Sequence, residues 1–164
     1  MPITTLAELF ADELKDLYSA ETQLTKALPK MAKAAQTDAL RKAFEMHLKE
    51  TEGHVERLEK VCEQLDIKPR GKKCAAMEGL IEEGKELLEE DAEPTVLDAG
   101  LIGAAQKVEH YEMAGYGTAI AHAKQLGYAQ AVSVLQKTLT EEKAADEKLT
   151  KIAETTVNQE ALNR

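Results

Sequence analysis

DIKPRGKKCAAMEGLIEEGKELLEEDAE, residues 66 to 93, decides how this chain folds. Pro69 and Gly71 break the helix that precedes them, and Pro94 with Thr95 opens the next one. Between these breakers, residues 74–90 read as a short amphipathic helix, with Met77, Leu80, Ile81, Leu87 and Leu88 on one face and the Glu-rich run IEEGKELLEE turned to solvent. Outside the stretch, apolar residues recur at helical spacing, and no segment sustains period-2 alternation. Two long helices are expected before it, over 5–35 and 37–65, and two after it, over 95–126 and 128–157. Thr4 or Thr5 caps the first, Gly127 stops the third, Pro29 should kink the first, and the tail NQEALNR should fray. Each pair is joined by a tight turn, so its helices are antiparallel neighbours. A link of about thirty residues can instead traverse the bundle, which is the ferritin-like variant of the four-helix bundle. The expected fold is therefore all-α: a ferritin-like antiparallel four-helix bundle with a long crossover carrying a short fifth helix, in one domain over 1–164.

Composition agrees with this and narrows the partners. The chain is 43% hydrophobic and 31% charged, with no Trp, which suits a soluble helical protein. A net charge of −9 argues against nucleic acid or an anionic membrane as partner. No apolar run approaches the length of a membrane span, and the acidic start MPITTLAELFADEL lacks the basic region of a signal peptide, so a cytoplasmic location is expected. Cys62 and Cys74 are too few for a disulfide framework and read as buried small hydrophobes.

The buried stripes carry the functional signal. On the first helix the stripe runs Phe10, Leu14, Leu17, Glu21, Leu24, Leu28; on the third, Leu101, Ala105, Val108, Glu112, Gly115, Ala119; on the fourth, Leu135, Leu139, Glu142, Asp146, Leu149. The second, within HLKETEGHVERLE (47–59), puts His47, Glu50 and His54 on or beside its seam. Depth sharpens the pattern. Glu21 lies fifteen residues before the turn at Gln36 and Glu50 fourteen after it; Glu112 and Glu142 lie fifteen to either side of Gly127. At ~1.5 Å rise per residue, all four are about 22 Å from their turns. A second layer one turn along comprises Tyr18, His54, Glu109 and Asp146.

So many carboxylates cannot ionise together in a low-dielectric interior without compensation. The remedies are protonation, nearby Lys or Arg (Lys107, Lys143 and Arg57 are close in sequence), or cations. Divalent ions bridged by shared carboxylates are the densest remedy, and carboxylate with imidazole suits iron or manganese. The expected metal set is Glu21, Glu50, His54, Glu109, Glu112, Glu142 and Asp146 around a di-iron or di-manganese centre, with Glu50 and Glu142 bridging and Glu21 and Glu112 terminal. His47 is read as an outer or structural residue, and His110 and His122 as structural. Tyr18, Tyr111 and Tyr116 are read as packing residues with hydrogen-bonded hydroxyls.

The stretches LYSAETQLTKALPKMA, HLKETEGHVERLE, CAAMEGLIEEG, AAQKVEHYEMAGYGTA and TLTEEKAADEKLTKIA resemble the YciE/YciF family of ferritin-like bacterial stress proteins, closest to its YciF branch. The resemblance implies a bundle related to rubrerythrin, expression under stress, and a homodimer; the apolar face of 74–90 is a candidate contact for that dimer or else a cap on the bundle end. One departure stands out. Di-iron bundles carry Glu-x-x-His on two helices, whereas here Glu50 and Glu142 are followed at that spacing by Gly53 and Ala145, with His54 and Asp146 one residue later. Two function classes remain: a di-metal carboxylate protein handling peroxide, oxygen or ferrous iron, and a non-catalytic structural or interaction protein whose polar core is salt-bridged and metal-free.

Overall fold

A computed structural model of the chain describes residues 2–163. Its helices are α1 (Leu6–Ala34), α2 (Asp38–Gln64), α3 (Ala75–Glu89), α4 (Pro94–Leu126), α5 (Ala129–Ile152) and, after a π-helical turn at Ala153–Val157, α6 (Asn158–Leu162). There is no strand among the described residues.

Local chemistry sets the boundaries. Thr5 caps α1: its hydroxyl accepts from the Glu8 backbone at 3.1 Å while the Glu8 carboxylate accepts from the Thr5 backbone at 2.9 Å. α1 runs unbroken through Pro29, whose exposed position turns the missing hydrogen bond towards solvent. Gly127 ends α4 at φ 75°, a left-handed geometry that favours glycine. Between α1 and α2 the turn is held from a distance. Asp98, fully buried on α4, accepts from the backbone N–H of Gln36 and Thr37 at 2.8 Å each and from the Thr37 hydroxyl at 2.6 Å. Thr37 therefore directs its hydroxyl to α4 instead of capping its own helix.

Those contacts also fix the topology. Asp98 places the start of α4 at the α1–α2 turn. At the other end, the Phe10 and Tyr128 rings lie 5.7 Å apart, and His122 pairs with Glu13 at 2.9 Å, so the α4–α5 turn sits beside the start of α1. α3 and its flanking loops thus return the chain along the bundle. α1 packs on α2 and α4, and α5 on α4 and α2, with each of these four pairs antiparallel. This is the ferritin-like order expected from the sequence.

Two apolar clusters fill the bundle. One contains Leu24, Leu28, Phe44, Leu101, Ala105 and Leu149; the other contains Phe10, Leu14, Leu17, Leu58, Tyr116 and Leu135. On each long helix the boundary between them is polar, at Glu21, at His47 to His54, at Glu109 and Glu112, and at Glu142. The core is an apolar–polar–apolar stack along the bundle axis.

One expectation is refined and one corrected. The face of α3 packs on the chain's own core: Met77 is fully buried, and Leu80, Ile81, Leu87 and Leu88 lie against the first cluster. The face therefore covers the chain's own bundle. Ser19, Gln23 and Tyr111 hold the start of α3 through the Cys74 backbone and thiol. The C-terminal tail also remains helical to Leu162. The π turn makes this possible, because its wider spacing puts Val157, five residues after Ile152, into the core.

Candidate metal centre

Each of the four long helices contributes to the polar layer. Glu21 comes from α1; His47, Thr51 and His54 from α2; Glu109 and Glu112 from α4; Glu142 from α5. All are buried. α1 and α4 approach closely here because position 115 is glycine: a Cβ would stand 2.8 Å from Leu17 Cδ2. The next residue, Tyr116, donates its hydroxyl to Glu21 at 2.8 Å. Thr51 donates to the His47 carbonyl within its own helix.

The ligand-type atoms form two groups. Glu21, His54, Glu112 and Glu142 bring one donor atom each within 4.8 Å of one another, and so do His47, Glu109 and Glu142. Glu142 belongs to both. His54 Nδ1 lies 2.8 Å from Glu142 and 3.3 Å from Glu21, while His47 Nε2 lies 2.6 Å from Glu109 and 3.7 Å from Glu142. These approaches are close but lack hydrogen-bond alignment, so both ring nitrogens remain unpartnered. So do both oxygens of Glu112, both of Glu142 and one each of Glu21 and Glu109. A set of buried donors converging without partners is what a bound cation would satisfy.

On its outer side each imidazole has a carboxylate. His47 Nδ1 bonds Glu50 at 3.2 Å, and His54 Nε2 bonds Glu141 at 2.7 Å. Glu141 is in turn clasped by Arg57, at 2.7 and 2.9 Å. Carboxylate–histidine pairs of this kind orient the free ring nitrogen towards a metal.

The electrostatics show the strain of the layer. Burial, compounded by the charges of Glu21, Glu142 and Glu109, holds Glu112 well above the usual carboxylate range. Burial also raises Glu21. It pushes Glu142 up to about 7 with Glu109 beside it, although His54 and His47 pull back. Burial opposes charge on His54, but the adjacent Glu142 and Glu21 outweigh it and raise the imidazole to about 10. His47 is raised in the same way by Glu109 and Glu50. Lys107 and Lys143 are exposed, and Arg57 is committed to Glu141. None of these three side chains pairs with an inner carboxylate, so the positive charge available to the metal-free layer is that of the two imidazoles.

Of the residues singled out in the sequence, Glu21, His54, Glu109, Glu112 and Glu142 come together. Glu50 lies outside His47, one third exposed, and Asp146 sits at the rim with its carboxylate on the exposed His110. Neither belongs to the converging groups, because their positions on α2 and α5 turn them to the flank of the seam. His47, read as an outer residue, belongs to the second group. Tyr18 leaves the layer and donates to Glu59. Glu141 was missed, although Glu-Glu at 141–142 beside a seam was its visible signal.

Comparison with known proteins places the chain. The profile of the family described as "Domain of unknown function (DUF892)" matches residues 5–162. The chain belongs to the DUF892 family. Protein YciF of Escherichia coli is 50% identical over 165 residues, covering 100% of this chain and 99% of that protein. The crystal structure of that E. coli stress protein superposes with a TM-score of 0.92, covering 95% of this chain and 99% of the other. YcfI of Rhodopseudomonas palustris, 47% identical, gives a TM-score of 0.88 over 90% of this chain and 94% of its own. A Xanthomonas campestris protein at 18% identity and TM-score 0.77, covering 97% and 98%, shares the fold.

Proposed function

We propose that this DUF892 protein binds two iron or manganese ions in its polar layer and handles peroxide, oxygen or ferrous iron. One ion is held by Glu21, His54, Glu112 and Glu142, the other by His47, Glu109 and Glu142, with Glu142 shared. The observation that carries the reading is the pair of converging, unpartnered donor groups with a carboxylate in common. Charge supports it. Two divalent ions offset the four inner carboxylates with both imidazoles neutral, whereas without metal both imidazoles and two carboxyls must hold protons. Once bound, the ions supply a redox-active centre with Lewis acidity in a water-poor interior. The chain's own residues do the rest. Glu50 and Glu141 orient the two imidazoles, Arg57 keeps Glu141 ionised, and Tyr116 holds Glu21 Oε1, the oxygen that approaches His54 Nδ1, leaving Oε2 without a partner. A stress role is consistent with the description of the E. coli relative as a stress protein. A cytoplasmic homodimer belongs to the same reading, and sedimentation as an 18.0 kDa monomer at micromolar concentration would remove the dimer.

The second reading is a structural protein without metal, and YcfI is provisionally described as structural. Metal analysis after anaerobic reconstitution with Fe(II) or Mn(II) separates the two. The proposal expects two ions per chain in wild type and loss of both in Glu142→Ala. Binding of neither ion above background by wild type ends the metal reading.

A further inference from the structure

We infer that the bundle holds a binding cavity for a small, uncharged, apolar molecule of about the size of benzene, ending on the second metal-type group. The identity of what the ligand meets rests on the proposed metal reading; the cavity does not.

The cavity has a volume of about 170 Å³ and lies between α1, α2, α4 and α5. An apolar hole of about 150 Å³ in a protein core stays dry and takes up benzene, so the space here suffices for an aromatic ring. Its buried walls are hydrocarbon, from Leu24, Leu28, Phe44, Ala105, Val108 and Leu149. The polar lining residues are His47, Glu50 and Glu109, on the side of the second donor group, and Lys148 at the mouth. Glu109 there has one oxygen without a partner. An anion would meet the Glu50 and Glu109 carboxylates, and any ion would lose its hydration against the aliphatic walls. The chemistry that remains is neutral and apolar.

The opening lies between α2 and α5, where the lining residues Met46, Ala144 and Lys148 are exposed. Lys148 Nζ reaches Met46 Sδ at 3.5 Å across this side. The sequence keeps the gap with small residues: Ala144-Ala145 stands on α5 in the turn between Glu142 and Leu149, and Ala105 faces it from α4. Larger side chains at these positions would fill the space. A ligand entering here would rest against His47 and Glu109 rather than against the group around His54.

The test uses the full chain, metal-free, with fluorobenzene observed by fluorine NMR and benzene by thermal shift. Wild type should broaden the fluorobenzene resonance and gain Tm with benzene concentration. Ala145→Leu, at the mouth, and Ala105→Leu, on the floor, should each weaken binding at least tenfold, and either suffices if the other fails to fold. No binding by wild type, or binding unchanged in a folded filled variant, overturns the inference. In Mn(II)-loaded protein, paramagnetic relaxation of bound fluorobenzene should place it beside the ion. Benzene bound without metal uptake leaves the cavity standing and ends the metal reading; metal uptake without benzene does the reverse.

Discussion

His54 Nε2 and Glu141 Oε2 stand 2.7 Å apart across the α2–α5 interface, and Arg57 grips the same carboxylate from its other side. The guanidinium holds Glu141 below the usual carboxylate range, so it stays an acceptor. A proton on Nε2 is thereby favoured, and Nδ1 is left to face Glu142 and Glu21. The arrangement costs nothing in ligand count and sets the ring angle at the centre of the layer.

Glu141→Gln should therefore lower metal affinity by about 10–100-fold without removing a ligand, as loss of such outer partners does elsewhere. Arg57→Ala should act in the same direction, since it frees Glu141. Competition titration against a chelator measures both. Unchanged affinity in both variants would mean that the His54–Glu141 pair is only structural.

Glu112 invites a change of opposite sign in two states. It is fully buried and neither of its oxygens has a hydrogen-bond partner. At pH 8 the folded carboxyl must either ionise where burial opposes it or hold a proton that the unfolded chain has released, and a neutral isostere escapes both. Glu112→Gln should stabilise the metal-free protein at pH 8 by about 1–3 kcal/mol, the scale of relieving an uncompensated buried charge, while weakening metal binding. Urea denaturation with and without chelator gives both numbers. A metal-free variant less stable than wild type would contradict the reading of Glu112 as a ligand kept at a cost.

Asp98 separates fold from site. Its carboxylate accepts three hydrogen bonds from the α1–α2 turn. Asp98→Ala leaves two backbone donors and a hydroxyl to find water, and should cost about 1–3 kcal/mol. Metal content should not change, because the turn lies at the bundle end and the layer at its middle. A shifted urea midpoint with unaltered metal stoichiometry is the expected pair of results. Metal lost from folded protein would show that the end of the bundle and the layer are coupled.

The sequence made the middle of the bundle legible for a reason the structure supplies. The two hairpin turns lie at opposite ends, so residues at equal distance from their turns coincide only near the midpoint. Glu21, Glu112 and Glu142 meet that condition, and they meet in space. Periodicity was less able to say on which flank of a seam a side chain falls. Glu50 and His47 are three residues apart on α2 and share a face, yet a modest rotation puts the imidazole inward and the carboxylate on the outer wall. Long side chains blur the pattern further: Glu141, a step off the α5 seam, still reaches the back of His54. Asp98 was illegible because its role depends on the crossover bringing α4 to a turn some sixty residues earlier. The π turn was equally hidden, since a spacing of five between Ile152 and Val157 looks like the end of a helical pattern rather than its continuation.

The dependence of stability on pH should distinguish the metal-free from the metal-loaded layer. Glu112 and Glu21 are raised, Glu142 is raised from 4.5 to about 7, and His54 from 6.5 to about 10. In every case the folded state binds a proton more tightly than the unfolded chain does. The native state therefore holds more protons than the unfolded state across this range, and stability falls as pH rises. The carboxyl contributions begin to be lost above about 4.5. The His54 contribution is full below 6.5 and is lost as pH climbs through about 10. Metal-free protein should thus be most stable near pH 5, with Tm declining steadily towards pH 9. Metal replaces these protons, so its binding releases them and strengthens as pH rises. With Mn(II) present, the same interval should show a flat or rising Tm. The measurement is a pair of thermal unfolding series from pH 5 to 9, one with chelator and one with Mn(II). A metal-free series that rises with pH would mean that the layer is not held together by protons. Two superimposable series would mean that metal does not enter it.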